Sequence, residues 1–411
     1  MKHFFFFIAG AAMLMMPIVS CGKIQGGEDE GDNTFKPIEL STKAAGFVQK
    51  GNTFAFDYID RINSESDKDY VISPLSMQFL LGMLLDGAQG ETAAQIAKVL
   101  GYGAGEVDAV NKYCLSMLQQ LPVLDKKTKL NIANAIFLDD GWPLEKKFQR
   151  TVGEYFQAEV TNLDFSNGEA SLKAINGWCS KQTNGLISKV LDEVNPAVLA
   201  YLMNAVYFKS EWVNKFSKDA TADESFIDED GGKSTVKMMK QESKTLYYES
   251  DSYQMVRLPY GNGAFSMIVL LPKEGNAVAD ITAELKKTDW NKFRFLPSEK
   301  DVDLWLPKFD TKFKIVLNDI LSAMGMPLAF SAADFSAMSP AASRLSFVQQ
   351  DAVIKVDEEG SEAAAVSVAA VEKNASAGAG RAVFHADHTF LYLITEQSTG
   401  AVLFAGRYSG N

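Results

Sequence analysis

The spacing of apolar side chains predicts helices in the first part of the chain. Phe54, Tyr58 and Ile62 recur every four residues in FAFDYIDRI, the spacing of one helix face. A strongly apolar helix follows in SMQFLLGMLLDG and ends at Gly87, and ETAAQIAKVLG predicts a third helix that ends at Gly101.

Strand patterns appear further along the chain. LNIANAIFL at 130–138, YLMNAVYFK at 201–209 and the continuous apolar run FSMIVLLP at 265–272 each predict a strand. The last part contains the predicted strand VDLWLPKF and the predicted helix IVLNDILSAMG, then the strands FLYLI and AVLFAGRY around the turn EQSTG. Helices early and strands later, without regular βα alternation, predict an α+β fold, with one domain over residues 35–411.

The amino-terminal residues have the layout of a secretory signal. Lys2 precedes an apolar stretch, and small residues lead to Cys21, so residues 1–20 are predicted to be a signal peptide. IVSC at 18–21 resembles a bacterial lipobox. At such a motif the signal peptide is removed before the cysteine, and that cysteine is lipidated. A plain signal peptide and a retained membrane anchor are the alternatives. Residues 21–34 are then the lipidated Cys21 and a flexible acidic tether. We expect an exported lipoprotein anchored to a membrane, in the periplasm or at the cell surface facing the extracellular space.

Composition narrows the classes of function. A chain of 411 residues with 47% hydrophobic content can bury a large core, and a net charge of −12 argues against a nucleic-acid partner. Its three histidines are His3, His385 and His388, which limits acid–base catalysis and metal binding by imidazole. Cys114 and Cys179 could form a disulfide in an oxidising compartment, but two free, buried thiols are favoured.

No sequence motif predicts an enzyme. Residues 234–237, STVK, match the S-x-x-K spacing of penicillin-binding enzymes, but the S-D-N and K-T-G companions are missing. His385 and His388 would point to opposite faces of an extended segment, and no third ligand cluster accompanies them. We therefore predict a protein that is not an enzyme and needs no cofactor or metal.

Residues 358–374, EEGSEAAAVSVAAVEKN, form an unusual stretch. Their alanines favour a helix, yet the stretch has no amphipathic face. As a strand, it would place Ser361, Ala363 and Ala365 on an entirely small face, with Glu362 and Glu372 on the other face. Such a segment can enter a crowded sheet while its charges stay in water. With NASAGAGR at 374–381 it predicts an exposed loop of about twenty residues, and loops of that length are usually functional.

VDEEGSEAAAVSVAA resembles the reactive-loop hinge of serpins, the serine-protease-inhibitor family, and of its inhibitory members in particular. Three more segments resemble family motifs in the right order: VISPLS at 71–76, LMNAVYFKSEW at 202–212 and FHADHTFLYLITEQSTGAVLFAGRY at 384–408. The resemblance covers residues 35–411. It implies a helical amino-terminal part, a large central mixed β-sheet and an exposed reactive-centre loop at about 358–383.

The resemblance also implies a mechanism. A target protease attacks the loop and forms an acyl-enzyme, and the cleaved loop then inserts into the central sheet and carries the protease with it. The implied partner is a trypsin-, elastase- or subtilisin-like serine protease, with cysteine proteases as a second class, and we expect a monomer. A non-inhibitory serpin acting as a binding or structural module is the alternative. Such members usually carry bulky, charged or proline residues in the hinge, and this hinge has none.

Site residues follow from the same resemblance. The hinge residues are Glu358, Gly360, Ser361, Ala363 and Ala365. The shutter residues, beneath the opening sheet, are Ser73, Ser76, Asn204 and Gln350, the last where many serpins have a histidine. Trp212 corresponds to the breach, at the end of the sheet where the loop enters. Ordinary core packing for Trp212, and a position before a helix for Ser73, are the simpler alternatives.

The position of the reactive bond is predicted by counting residues along the loop. In serpins it lies about sixteen residues after the hinge glutamate, which predicts cleavage between Asn374 and Ala375. Counting back from HADHTF reaches Gly378 instead; the hinge count is preferred because insertion starts there. Lys373 would suit a trypsin-like enzyme, and Val371, Ala375 or Ser376 an elastase- or subtilisin-like one.

Overall fold

The computed structural model describes residues 32–342, 344–361 and 381–410. The predicted signal peptide, Cys21 and the loop from Glu362 to Gly380 therefore lie outside the described residues. The chain from Thr34 onward clusters as one compact unit.

The helices come mostly early in the chain, as the apolar spacing predicted. Their bounds are α1 (Thr42–Glu65), α2 (Pro74–Gly87), α3 (Gly90–Val99), α4 (Val107–Gln120), α5 (Lys146–Phe156), α6 (Gly168–Gln182), α7 (Val278–Leu285), α8 (Trp290–Phe293) and α9 (Asn318–Met324). Within the described ranges, no helix is long and apolar enough to cross a membrane.

The strands follow in two sets. Their bounds are β1 (Tyr70–Ile72), β2 (Lys129–Asp139), β3 (Glu159–Leu163), β4 (Ala200–Glu211), β5 (Ala222–Ile227), β6 (Lys233–Glu249), β7 (Tyr253–Tyr260), β8 (Phe265–Pro272), β9 (Ser298–Pro307), β10 (Phe309–Val316), β11 (Gln349–Val356), β12 (Gly360–Ser361), β13 (Ala382–His385), β14 (Phe390–Glu396) and β15 (Val402–Tyr408). The predicted strands at 130–138, 201–209 and 265–272 are confirmed.

One set forms the central sheet, in the order β10-β11-β12-β4-β2-β3. It is mixed, because β2 and β3 are parallel while the other neighbours are antiparallel. The second sheet runs β1-β15-β14-β8-β7-β6-β9-β13, with β5 paired to β6. The α+β prediction is thereby confirmed.

One predicted boundary is wrong. The run IVLNDILSAMG was expected to be helical from its first residue, but Ile315 and Val316 belong to β10, where they pair with Gln350 and Gln349 of β11. The helix begins only at Asn318. A short apolar run at a strand–helix junction fits either structure, and the tertiary pairing decided it.

Helix α2 connects the two sheets through the core. Nearly all of its side chains are buried, and it contacts both β4 of the central sheet and β15 of the second sheet. Ser73 caps the helix by accepting a hydrogen bond from the Ser76 backbone N–H, and Pro74 occupies the first turn. The amino-terminal end of α2 therefore places two serines among strands of both sheets.

Candidate functional site

The described hinge residues occupy a position inside the central sheet. Strand β12 pairs with β11 through Val356 and Ser361, and with β4 through Gly360–Glu211 and Ser361–Ser210. Among the strands that the structure describes, β4 and β11 are joined only through these two residues. The sheet is therefore divided between β4 and β11, with the start of the predicted loop between the two parts.

Gly360 is required by a close approach of two backbones. A Cβ atom at this position would lie 2.0 Å from the Ser210 carbonyl oxygen and 2.7 Å from the Glu211 Cα atom. Neither contact can relax by a side-chain rotation, because both atoms belong to the backbone of β4. Any larger residue would therefore displace the hinge from the sheet.

Glu358 ties the hinge to two other segments. Its side chain is 6% exposed, and the carboxylate accepts hydrogen bonds from Thr221 Oγ1 at 2.9 Å and from Lys308 Nζ at 3.0 Å. Burial opposes ionisation, but a backbone N–H, Lys308 and Thr221 more than offset it, so the pKa of Glu358 lies below its usual value. The carboxylate is therefore ionised and paired at neutral pH.

Glu359 makes a second ionic contact. Its carboxylate oxygens lie 2.8 Å from Lys215 Nζ and 3.3 Å from Lys218 Nζ. The hydrogen bond from Lys215 is the main reason that the pKa of Glu359 is lowered. Two adjacent glutamates thus pair with lysines from separate segments, 215–218 and 308.

Trp212 binds the backbone of the hinge. Its backbone N–H donates to the Glu359 carbonyl at 2.8 Å, and its indole Nε1 donates to the Asp357 carbonyl at 2.9 Å. The indole stacks on Tyr260 with the ring centroids 4.3 Å apart. The hydroxyls of Tyr260 and Ser361, both buried, share a hydrogen bond of 2.7 Å. Trp212 is therefore a core residue that also holds the hinge.

Gln350 and Ser73 form the centre of the predicted shutter. The Ser73 N–H donates to Gln350 Oε1 at 3.1 Å, and Gln350 Nε2 donates to the Ser73 carbonyl at 3.0 Å. Tyr58 Oη also donates to Gln350 Oε1, and Ser73 Oγ donates to the Leu403 carbonyl at 2.7 Å. This buried amide bridges α1, the start of α2 and β11, while Ser73 reaches β15.

The other two predicted shutter residues form a second chain of hydrogen bonds. Ser76 Oγ donates a hydrogen bond to Asn204 Oδ1. The Nδ2 atom of Asn204 donates to Asn134 Oδ1 at 2.7 Å. Asn134 Nδ2 in turn donates to the Phe156 carbonyl at 2.8 Å. A continuous polar path therefore runs from α2 through β4 and β2 to the end of α5.

Sequence reasoning missed several of these residues. Asn134, Tyr260, Thr221 and Lys308 complete the site, yet none of them was predicted as a site residue. Asn134 alone carries a signal, because it is a polar residue within the otherwise apolar strand LNIANAIFL. The others are brought to the hinge only by the fold.

The histidines, the cysteines and the STVK segment all make contacts that are typical of structural residues. His385 stacks on Trp305 at 4.0 Å, with its Nε2 3.0 Å from Asp303 Oδ2, and His388 bonds Asp387 and the Pro272 carbonyl. No cluster of metal-ligating side chains occurs among the described residues. Cys114 and Cys179 are buried, free thiols, and the STVK segment lies in β6 paired with β5.

The remaining predicted positions belong to the loop and to the amino terminus. Ala363, Ala365, Lys373, Asn374, Ala375 and Ser376 lie outside the described residues, as does Cys21. Strand β13, which follows the loop, pairs in parallel with β9 of the second sheet. The two described ends of the loop are therefore held by different sheets.

Comparisons with known proteins agree with this architecture. The family model "Serpin (serine protease inhibitor)" matches residues 49–410. Serpin B6 of Macaca fascicularis is 32% identical over 373 residues, covering 88% of this chain and 98% of its own length. A serpin-like protein of Thermococcus kodakarensis is 30% identical and covers 87% of this chain and 84% of its own length.

Solved structures give the same result. The thermophilic serpin tengpin, in its native state, aligns with a TM-score of 0.80 at 28% identity, covering 91% of this chain and 96% of tengpin. Thyroxine-binding globulin, in complex with thyroxine, aligns with a TM-score of 0.79 at 28% identity, and the alignment covers 88% of this chain and 98% of the globulin. Fold and sequence together show that this chain belongs to the serpin family.

Proposed function

We propose that this serpin is a suicide-substrate inhibitor of serine endopeptidases, with cysteine endopeptidases as a second class. The protease attacks a bond in the loop after Ser361, and its nucleophile forms an acyl-enzyme while the new amino terminus departs. The loop then enters the central sheet as an additional strand and carries the acylated protease along before water can hydrolyse the ester.

The observation that carries this proposal is the position of β12. Ser361 already pairs with β4 on one side and β11 on the other, and no direct pairing between those strands would have to be broken among the described residues. The residues that follow have small side chains on the face that Ser361 shares. Insertion would therefore extend a strand whose first two residues are seated.

The proposal also accounts for the polar residues around the division in the sheet. Gln350 of β11 hydrogen-bonds to Ser73, which caps α2, and Asn204 of β4 to Ser76 in the first turn of α2. Side-chain hydrogen bonds can be exchanged as two strands separate, whereas a purely apolar contact would lose packing. The polar residues at this position are therefore consistent with separation of β4 and β11 during insertion.

The function is tested by mixing the full chain with trypsin, pancreatic elastase and subtilisin. We expect a covalent complex that survives denaturing electrophoresis with at least one of them, and none with a protease whose catalytic serine is replaced by alanine. Clean cleavage by each enzyme without a complex would favour the non-inhibitory alternative. Mass spectrometry of the released fragment would test the Asn374–Ala375 bond against Lys373 and Ser376.

A matched pair of hinge variants isolates the insertion step. Ala363→Arg places a charge on the face that Ser361 shares, whereas Ala364→Arg places the same charge on the opposite face by strand alternation. Burying the first guanidinium costs several kcal/mol, so Ala363→Arg should be cleaved as a substrate. Ala364→Arg should remain an inhibitor. Equal inhibition by both variants would contradict insertion.

We also propose that the mature protein begins at a lipidated Cys21 and is held to a membrane by residues 21–34, with residues 35–411 as the serpin domain. The lipobox resemblance and the apolar segment before it support this. Expression in a bacterial host with radiolabelled palmitate should label the wild type but not Cys21→Ser. Labelling of both would disprove lipidation at this cysteine.

A further inference from the structure

A cleft opens where β6 and β7 separate. The two strands pair from Leu246–Arg257 to Glu249–Gln254, whereas residues 239–245 of β6 pair with β9 alone among the described strands. The cleft between them has a volume of about 210 Å³. Trp212 and Phe216 line one wall, and Leu246 and Leu258 add apolar surface.

The charge of the cleft is unbalanced. Arg257 lines it and is only 6% exposed, yet it forms no ion pair with a carboxylate among the described residues. Its guanidinium donates to Gln397 Oε1 and to the Arg294 carbonyl, and its Nε has no hydrogen-bond partner. Burial and the neighbouring charge of Arg294 lower the pKa of Arg257 to about 10, so it remains a cation at neutral pH.

The other charged residues of the cleft do not compensate Arg257. Lys244 and Glu299, one of each sign, both line the cleft and are both exposed. Their charges offset each other and are screened by water. Buried charges are normally paired, so a cation left without a counterion beside an open cleft favours a bound anion.

We propose that this cleft binds a small organic anion that combines one aromatic ring with a carboxylate. The ring would contact Trp212, Phe216 and Leu258, and the carboxylate would be attracted by Arg257. The volume is below the roughly 300–1,000 Å³ of sites that take drug-sized ligands, which limits the occupant to a single ring system. This inference is independent of protease inhibition, since it rests on the cleft and its charge alone.

Phenylacetate and its neutral amide, phenylacetamide, are matched probes for the full chain. We expect saturable binding of phenylacetate by isothermal titration calorimetry, with a dissociation constant at least about tenfold lower than for the amide. Arg257→Gln should reduce binding of the acid to that of the amide. Equal binding of acid and amide to the wild type, or no saturable binding at millimolar concentration, would overturn the proposal.

A second pair of variants locates the site without altering the buried arginine. Ser243 lines the cleft from β6, so Ser243→Tyr should fill it and abolish phenylacetate binding. Thr235→Tyr adds the same side chain to an exposed position of β6 outside the cleft and should bind as the wild type does. Retained binding in Ser243→Tyr, or loss in both folded variants, would also overturn the assignment.

Discussion

Glu358→Gln is the substitution that best tests how the hinge is held. It preserves the size of the side chain and removes its charge. The glutamine has one accepting oxygen, so it can accept from Thr221 or from Lys308, which lies 3.0 Å from Oε2 of the glutamate, but not from both. In either orientation the ammonium of Lys308 loses its negatively charged partner at a nearly buried position.

The free-energy loss expected for Glu358→Gln depends on how far the Lys308 side chain is exposed to solvent. A hydrogen bond to a buried charged group contributes about 1.5–3 kcal/mol, but the Lys308 side chain is 46% exposed, so its contribution is reduced by solvent. We therefore expect a loss of about 0.5–2 kcal/mol in the free energy that keeps the hinge seated. This corresponds to an increase of about 2- to 30-fold in the unseated population.

Amide hydrogen exchange measures that population. The N–H groups of Trp212 and Phe216 donate to the carbonyls of Glu359 and Glu358, so their protection depends on hinge seating. Both should exchange faster in the variant. The control is Glu249→Gln, whose carboxylate pairs with Lys273 at 3.2 Å but is 49% exposed and lies at the end of β6 in the second sheet. It should leave the exchange of both amides unchanged.

The pH dependence gives an independent check. The pKa of Glu358 is lowered in the folded protein, so the stabilisation is complete above its usual value of 4.5 and is lost as the pH falls through the folded pKa. Acid should therefore release the hinge of the wild type more than that of Glu358→Gln. Identical exchange of Trp212 and Phe216 in both proteins at neutral pH would refute the role of this carboxylate.

Three further predictions concern the rest of the fold. Gln350→Met removes the hydrogen-bond partners of the backbone N–H and carbonyl groups of Ser73. It should lower the free energy of unfolding, measured in urea, by about 2–4 kcal/mol, and a loss below about 0.5 kcal/mol would contradict the shutter network. Burial raises the pKa of Cys179 to about 12 and raises that of Cys114 further. Neither thiol should therefore be alkylated at about pH 8 until the protein is denatured, which peptide mass spectrometry would show. Detection of a disulfide-linked peptide would disprove the free thiols. Burial raises the pKa of Asp86 to about 6, so its ionisation destabilises the fold as the pH rises through that value. Asp86→Asn should therefore increase the free energy of unfolding by about 1–3 kcal/mol at pH 8 and change it little near pH 4, and a pH-independent difference would exclude this cause.

The local pattern of the sequence determined most of the secondary structure. Apolar spacing placed α2 and the strands at 130–138 and 265–272, because each depends on side chains that are neighbours along the chain. Family motifs predicted which segments form the hinge and the shutter. The same local evidence failed at Ile315, since its pairing with Gln350 of β11 is not encoded next to it.

Only the tertiary structure decided which polar groups meet. Ser73, Gln350 and Leu403 come from three distant parts of the chain, yet hydrogen bonds connect them around one buried point. The family resemblance predicted Glu358 as a hinge residue, but not that Thr221 and Lys308 would hold its carboxylate. Period and composition specify how a segment folds locally; the partners of a buried polar group depend on strand order and on the packing of helices against the sheets, which no short stretch of sequence contains.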